Sequence, residues 1–184
     1  MTPCKKTNGM KDPQIVPDDA IKVEGSVGKG PNNKKTNIRP NSETPLRSEP
    51  DGKPLIVTTV IDPKEPQELG KIKPKTAKNV KGIKVQIKRT PEGPFESLKE
   101  KDVTGESKPD NDGVFDPKKP IKLVEGTQVT EVKVTFLPDK PEKPMQVQLK
   151  VHACFEKKST GRLYNIMSII NSNLIRQPIL ELLY

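Results

Sequence analysis

The sequence has no tryptophan, only 3% aromatic residues, one histidine and two cysteines. Metal centres and covalent catalysis draw mainly on His, Cys and clustered carboxylates. No Gly-x-Ser-x-Gly, phosphate-loop or His-Glu-x-x-His motif occurs. We therefore expect that the protein is not an enzyme and binds no metal or cofactor. No run of about 18 apolar residues occurs, so we also expect no transmembrane segment.

Hydrophobic residues make up 30% of the 184 residues and charged residues 31%, with 20 prolines. This composition predicts a sparse apolar core. Because each proline removes a backbone donor, it also disfavours long helices and interior parallel sheets. The length allows one domain with tails.

Basic residues outnumber acidic ones by 33 to 24, which leaves a formal net charge of +9. Such a balance favours anionic partners such as nucleic acid, sulfated glycans or acidic lipid headgroups.

Short β-branched runs separated by Pro, Gly and Asp fill the sequence from Lys53 to about Cys154, as in an antiparallel β-sandwich. The run 55–61 predicts a buried strand. Three further segments alternate apolar and polar residues and predict half-buried strands: 80–88, 132–136 and 147–152.

Two breaks have the residues of tight turns, 110–113 and 138–141. The second joins two alternating segments and predicts a hairpin. The first resembles a calcium loop, but Val114 and Ile121 fall where an EF-hand needs oxygen ligands, so a turn is expected there.

The two ends of the chain leave alternatives open. The pattern of residues 1–52 is consistent either with a disordered arm or with very short strands around Ile15, Ile21 and Val27. Residues 156–184 carry apolar residues at helical spacing from Leu163 to Leu174 and predict a weakly helical or disordered tail.

The two cysteines, Cys4 and Cys154, enclose the patterned region. A disulfide between them would be worth about 4–5 kcal/mol in the chain-entropy model. Two free thiols in a reducing cell are the alternative, and the absence of an apolar segment after Met1 favours it. His152 and Cys154 share a strand face about 7 Å apart, beyond proton-transfer reach.

The order of motifs resembles the discoidin domains, the coagulation factor five and eight type C family. The opening is similar in Cys4, the Gly9–Ile15 segment and the Asp18–Val23 strand, and the middle in Ile38–Pro40 and Leu55–Leu69. Val80–Gln86 looks like the strand with alternating aromatic positions in that family, and Val147–Cys154 like its last strand. The tryptophans of the family are absent, Leu46 follows Pro45 in place of one, and Ala153 replaces the last glycine.

The resemblance implies a jelly-roll sandwich of about eight antiparallel strands over residues 4–155, with residues 1–3 as an extension and 156–184 as a tail. It implies a Cys4–Cys154 disulfide and hence an oxidising compartment. The chain would then be a monomer or a module of a larger secreted, mucin-like or adhesive protein whose signal segment is missing from this chain.

Two groups of candidate binding residues emerge. Residues 71–89 contain many bases and no Asp or Glu, and this basic run predicts a basic face. Its candidate residues are Lys71, Lys73, Lys81, Lys84, Lys88 and Arg89. The resemblance adds loops at one end of the sandwich, with candidates Lys29, Asn32, Asn33, Lys34, Lys35, Arg47, Lys75, Lys78 and Asn79.

We expect a noncatalytic extracellular adhesion module whose basic face binds an anionic glycan or a matrix or cell-surface protein, and no specific nucleic acid. Two alternatives remain: a basic intracellular nucleic-acid-binding protein with a disordered N-terminal arm, and a structural spacer that binds no ligand.

Overall fold

The computed structural model describes residues 11–14 and 20–156. Thirteen strands lie in these ranges, and two single 3₁₀ turns, Lys35–Ile38 and Glu100–Asp102, interrupt them. The strands are β1 Lys11–Gln14, β2 Ile21–Gly25, β3 Leu46–Arg47, β4 Leu55–Val60, β5 Gln67–Lys78, β6 Val80–Lys88, β7 Phe95–Ser97, β8 Val103–Thr104, β9 Val114–Phe115, β10 Ile121–Leu123, β11 Gln128–Val129, β12 Glu131–Pro138 and β13 Gln146–Glu156.

The strands form two antiparallel sheets. The seven-stranded sheet has the order β1-β13-β5-β10-β8, with β3 beside β13 and β11 beside β5. The six-stranded sheet has the order β2-β4-β12-β6-β7, with β9 beside β6. The predicted all-β antiparallel sandwich is confirmed.

One apolar core lies between the sheets. Ile72 and Leu149 come from the seven-stranded sheet, and Val85 and Phe136 from the six-stranded sheet, all buried. Since both sheets contribute their inner faces to this core, their outer faces point in opposite directions.

Alternation along the strands follows the sequence pattern. In β6, Ile83, Val85 and Ile87 are buried, whereas Lys84 is exposed. The run predicted as a buried strand forms β4, where Leu55 and Val57 are buried.

The predicted hairpin at 138–141 is wrong. β12 pairs with β4 and β6, whereas β13 pairs with β1, β3 and β5, so the turn carries the chain from one sheet to the other. The apolar sides of β12 and β13 instead face the same core from opposite sheets. Alternation reveals which side of a strand is apolar but does not identify the neighbouring strand.

Residues 20–52 belong to the sandwich. β2 pairs along β4, and Ile21, Ile38 and Leu46 are buried in the core. This part of the chain adopts the short strands of the second expectation. Residues 1–10 and 15–19 lie outside the described ranges.

The first described strand pairs with the last: β1 runs antiparallel to β13, with Pro13 opposite Cys154. Cys154 is buried, at 1% exposure. Cys4 lies outside the described residues, so the Cys4–Cys154 disulfide stays a prediction. The tail helix expected after residue 156 also lies outside them.

No helix within the described ranges is long and apolar enough to cross a lipid bilayer.

Candidate functional site: a lysine platform

The outer face of the seven-stranded sheet carries a cluster of bases on three neighbouring strands. Lys71 on β5 lies directly between His152 on β13 and Lys122 on β10. Lys73, two residues after Lys71 on β5, lies directly opposite Lys150 on β13. We call these four lysines together with His152 the lysine platform.

Sheet geometry brings these side chains together. Directly opposed residues of antiparallel strands place their Cβ atoms about 5 Å apart, and successive outward residues of one strand lie about 7 Å apart. Ile72 and Val151, which intervene along the strands, pair with each other, and Ile72 is fully buried. The residues on either side of them therefore point away from the core.

The platform lysines form no ion pair in the described part of the chain. Like charges directly opposite each other destabilise a sheet pair, so this arrangement costs folding free energy.

His152 reports the positive potential of the platform. Burial lowers the pKa of His152, and the positive charges of Lys150, Lys71 and Lys73 lower it further. The imidazole is half-buried beside three ammonium groups, so the neutral form is favoured.

The structure divides the predicted basic face into two parts. Lys71 and Lys73 belong to the platform, whereas the other four candidates lie on β6 of the six-stranded sheet or directly after it: Lys81, Lys84, Lys88 and Arg89. The chain changes sheets between β5 and β6, so one uninterrupted run of sequence supplies two surfaces that point in opposite directions.

Two of the four bases of this second part pair with carboxylates. Lys88 Nζ lies 3.2 Å from Glu131 Oε1 on the neighbouring strand β12. Arg89 pairs with Glu96 at 3.3 Å and with Asp102 at 3.1 Å. These Arg89 pairs line an open cleft of about 490 Å³ that also contains Ser97, Lys99 and Lys101. We therefore do not assign an anion site there.

Two of the predicted loop residues have structural roles. The Asn33 amide donates to the carbonyls of Gly28 and Arg47, at 2.6 and 2.9 Å, and its oxygen accepts the Arg47 N–H at 2.8 Å. The Asn79 amide likewise donates to the carbonyls of Lys140 and Lys143, at 2.9 and 2.7 Å. These amides are already occupied within the protein.

Lys75 and Lys78 are strand residues, so their assignment to a loop is corrected. β5 continues through Lys78, and the turn into β6 consists of Asn79 alone, at φ 56°. Asn tolerates this left-handed conformation better than most residues, which allows so short a turn.

The other loop candidates lie before and within the first 3₁₀ turn. Lys29, Asn32, Lys34 and Lys35 are exposed. Arg47 is on β3, in one row with Gln146 and Lys78, so the structure brings Arg47 and Lys78 to the same face.

The predicted turn at 110–113 forms with the expected chemistry. Asp110 Oδ1 accepts the N–H groups of Asp112 and Val114, and Gly113 has φ 74°. In the described ranges, no group of three or more His, Cys, Asp or Glu residues is arranged to hold a metal ion.

Lys122 and Lys150 were not among the site residues predicted from the sequence. The alternation of 147–152 already predicts that Lys150 points outward with His152. Lys122 sits in a three-residue strand that gives no comparable signal. That it lies beside Lys71 follows only from strand pairing.

Comparisons of the chain with protein-family models, curated proteins and solved structures found no significant match.

Proposed function

We propose that this chain is a noncatalytic extracellular adhesion module that binds a sulfated or otherwise anionic glycan on the lysine platform. The observation that carries the proposal is the direct opposition of Lys71 with Lys122 and of Lys73 with Lys150, with no ion pair from any of these lysines to a described carboxylate. A bound polyanion would offset the repulsion that this arrangement builds into the sheet.

The surroundings of the platform favour a glycan over nucleic acid. Single strands usually stack on aromatic side chains. Of the phenylalanines whose side chains the structure describes, Phe115 and Phe136 are buried, and Phe95 lies beneath Lys133 Nζ on the other sheet. The described residues also include no helix that could enter a major groove.

The discoidin-like jelly roll, the secreted location and the Cys4–Cys154 disulfide belong to the same proposal. The antiparallel pairing of β1 with β13 supports it, because it brings the two ends of the domain side by side. Thiol titration of the denatured protein from its native source tests the redox state. We expect no reactive thiol before reduction and two after it; two before reduction would contradict an extracellular location.

The binding test compares Lys71→Gln/Lys73→Gln with the wild type by calorimetry against a sulfated glycan such as heparin. An opposite charge about 4 Å away is worth about 1 kcal/mol per lysine in water, so losing two weakens binding roughly 30-fold. Wild-type affinity should fall as ionic strength rises.

The matched control is Lys22→Gln/Lys84→Gln, which removes the same charge from exposed positions of the six-stranded sheet. We expect this control to bind within about threefold of the wild type. Equal losses in the two double variants would show that net charge alone attracts the glycan and would refute a platform site. Tighter binding of a single-stranded oligonucleotide than of the glycan would support the nucleic-acid alternative.

A third possibility is that the lysines of β5 only protect a sheet edge. Residues 73–78 of β5 have a described partner strand on one side, and Lys and Pro are typical residues of protected edges. No glycan affinity in the wild type would favour this role and the spacer function.

A further inference from the structure

A second cationic row lies on the same outer face as the lysine platform. Arg47 on β3 and Lys78 on β5 flank Gln146 on β13, and both are exposed. Neither forms an ion pair with a carboxylate in the described part of the chain. We call Arg47 and Lys78 the distal row.

A neutral, covered row separates the platform from the distal row. It consists of Gln148 and Thr76, joined by a 2.7 Å hydrogen bond from the Thr76 hydroxyl to the Gln148 side-chain oxygen. Residues 39–42 cross over it: the Gln148 amide donates to the carbonyls of Arg39 and Ser42 at 3.1 and 2.7 Å. Gln148 is therefore only 4% exposed, and this row is closed to a ligand.

The open edge of β5 connects the two cationic groups around this crossing. From Lys73 to Lys78, the described partner of β5 is β13 on one side, while β10 reaches only to Ile72 on the other. Lys73, Lys75 and Lys78 are all exposed along this stretch. Lys75 lies at a bulge in the ladder, and its ammonium group donates to the carbonyl of Pro40 in the crossing segment.

The distance between the two groups determines which anion can reach both. Lys71 and Lys78 are seven residues apart on one strand, which corresponds to about 20 Å. A single sulfate or a short fragment can contact one group. A linear polyanion of at least this length can contact both, and the second contact then forms at a high effective concentration.

We infer that the ligand is a linear sulfated glycan that runs along the open edge of β5 and contacts both the lysine platform and the distal row. This inference rests on the proposed function, because it takes the platform as the primary site. It adds that an extended glycan of about 20 Å or more is needed for full affinity.

The test uses heparin fragments of defined length, below and above about 20 Å when extended, with dissociation constants from calorimetry. Wild-type affinity should rise with fragment length and level off once both groups are reached. Arg47→Gln/Lys78→Gln should bind the long fragments about tenfold more weakly and the short ones within twofold of the wild type. Lys71→Gln/Lys73→Gln should weaken binding at every length.

Failure of the inference differs from failure of the proposed function. If the distal-row variant binds long fragments as tightly as the wild type, or weakens short and long fragments equally, the extended path is refuted while the platform stands. If Lys71→Gln/Lys73→Gln has no effect at any length, the proposed function itself is refuted. The Lys22→Gln/Lys84→Gln control corrects for net charge, and circular dichroism verifies folding of each variant.

Discussion

The two outer faces of the sandwich are both rich in lysine, yet they differ in what each lysine faces. On the seven-stranded sheet, Lys71 and Lys73 directly face other bases. On the six-stranded sheet, Lys88 faces Glu131, and Lys133 Nζ lies 3.9 Å from the centre of the Phe95 ring. A lysine that alternates with apolar residues can thus be neutralised or left to repel its neighbours, and cross-strand pairing decides which.

The partners of the lysines on the two faces also distinguish a solvated surface from a candidate site. Lysines paired with carboxylates or aromatic rings already have favourable partners within the protein. The platform lysines have no such partner among the described residues and also lie directly opposite other bases, so an external anion would improve their electrostatic environment. This is why we place the site on the seven-stranded sheet.

The largest expected effect comes from removing the core beneath each face. Ile72 lies under the platform and Ile87 under the six-stranded face, with 0% and 1% exposure. Truncating either one to alanine should lower the free energy of unfolding by about 2–5 kcal/mol, as measured by urea denaturation.

Glycan binding should then distinguish these two variants. We expect Ile72→Ala to weaken binding, because Ile72 lies between Lys71 and Lys73 and fixes their strand. Ile87→Ala should leave binding of the folded protein unchanged. Equal losses in affinity would remove the distinction between the faces.

A smaller effect, of opposite sign on the two faces, is expected from charge reversal. Lys71→Glu places a carboxylate between His152 and Lys122 and should stabilise the fold by about 0.5 kcal/mol. Lys88→Glu replaces the 3.2 Å ion pair with Glu131 by two opposed carboxylates and should destabilise it by about 1 kcal/mol.

Urea denaturation at low ionic strength measures both changes in the free energy of unfolding. Both should shrink in 1 M salt, because screening weakens charge interactions. Destabilisation by Lys71→Glu would show that the platform lysines do not repel one another.

The smallest effect concerns the protonation of His152. Its pKa is lowered by burial and then by Lys150, Lys71 and Lys73, so the unfolded chain takes up this proton at higher pH than the folded one. The contribution of His152 to stability is therefore present above its unfolded pKa of about 6.5 and is lost as pH falls through the lower, folded pKa.

As His152 is the only histidine in the chain, NMR titration of its ring gives this pKa directly. Lys150→Gln should raise the pKa, and saturation with heparin should raise it further, because a bound anion favours the imidazolium. Lys84→Gln is the control and should leave it unchanged. A heparin-saturated His152 with an unaltered pKa would place the glycan away from the platform.

Much of the secondary structure is predictable from local pattern. β4 and β6 form where the apolar runs and alternation predict them, with Val57 and Val85 in the core. The Asp110 turn is equally local, because its side-chain oxygen binds backbone groups within four residues. The prediction of a hairpin at 138–141 is wrong because a hairpin requires both strands to pair in one sheet. The alternation of β12 and β13 fits strands in one sheet as well as strands in two facing sheets.

The site could be predicted only in part for the same reason. Lys71 and Lys73 stand out in the basic run, but the same run contains Lys84 and Lys88, which lie on the opposite surface. Asn33 and Asn79 look like ligand-binding amides in a loop, yet they bind backbone groups across 14 and more than 60 residues of chain.

The sequence by itself determined that this chain forms antiparallel strands around an apolar core, because the two-residue period of side chains is a local property of extended backbone. Tertiary structure alone decided which lysines meet. Lys71, Lys122 and His152 are far apart in sequence, and pairing of β5 with β10 and β13 places them in one row. Whether two charged side chains face each other depends on distances of a few ångströms between paired strands, and these distances are fixed only when the sheets form.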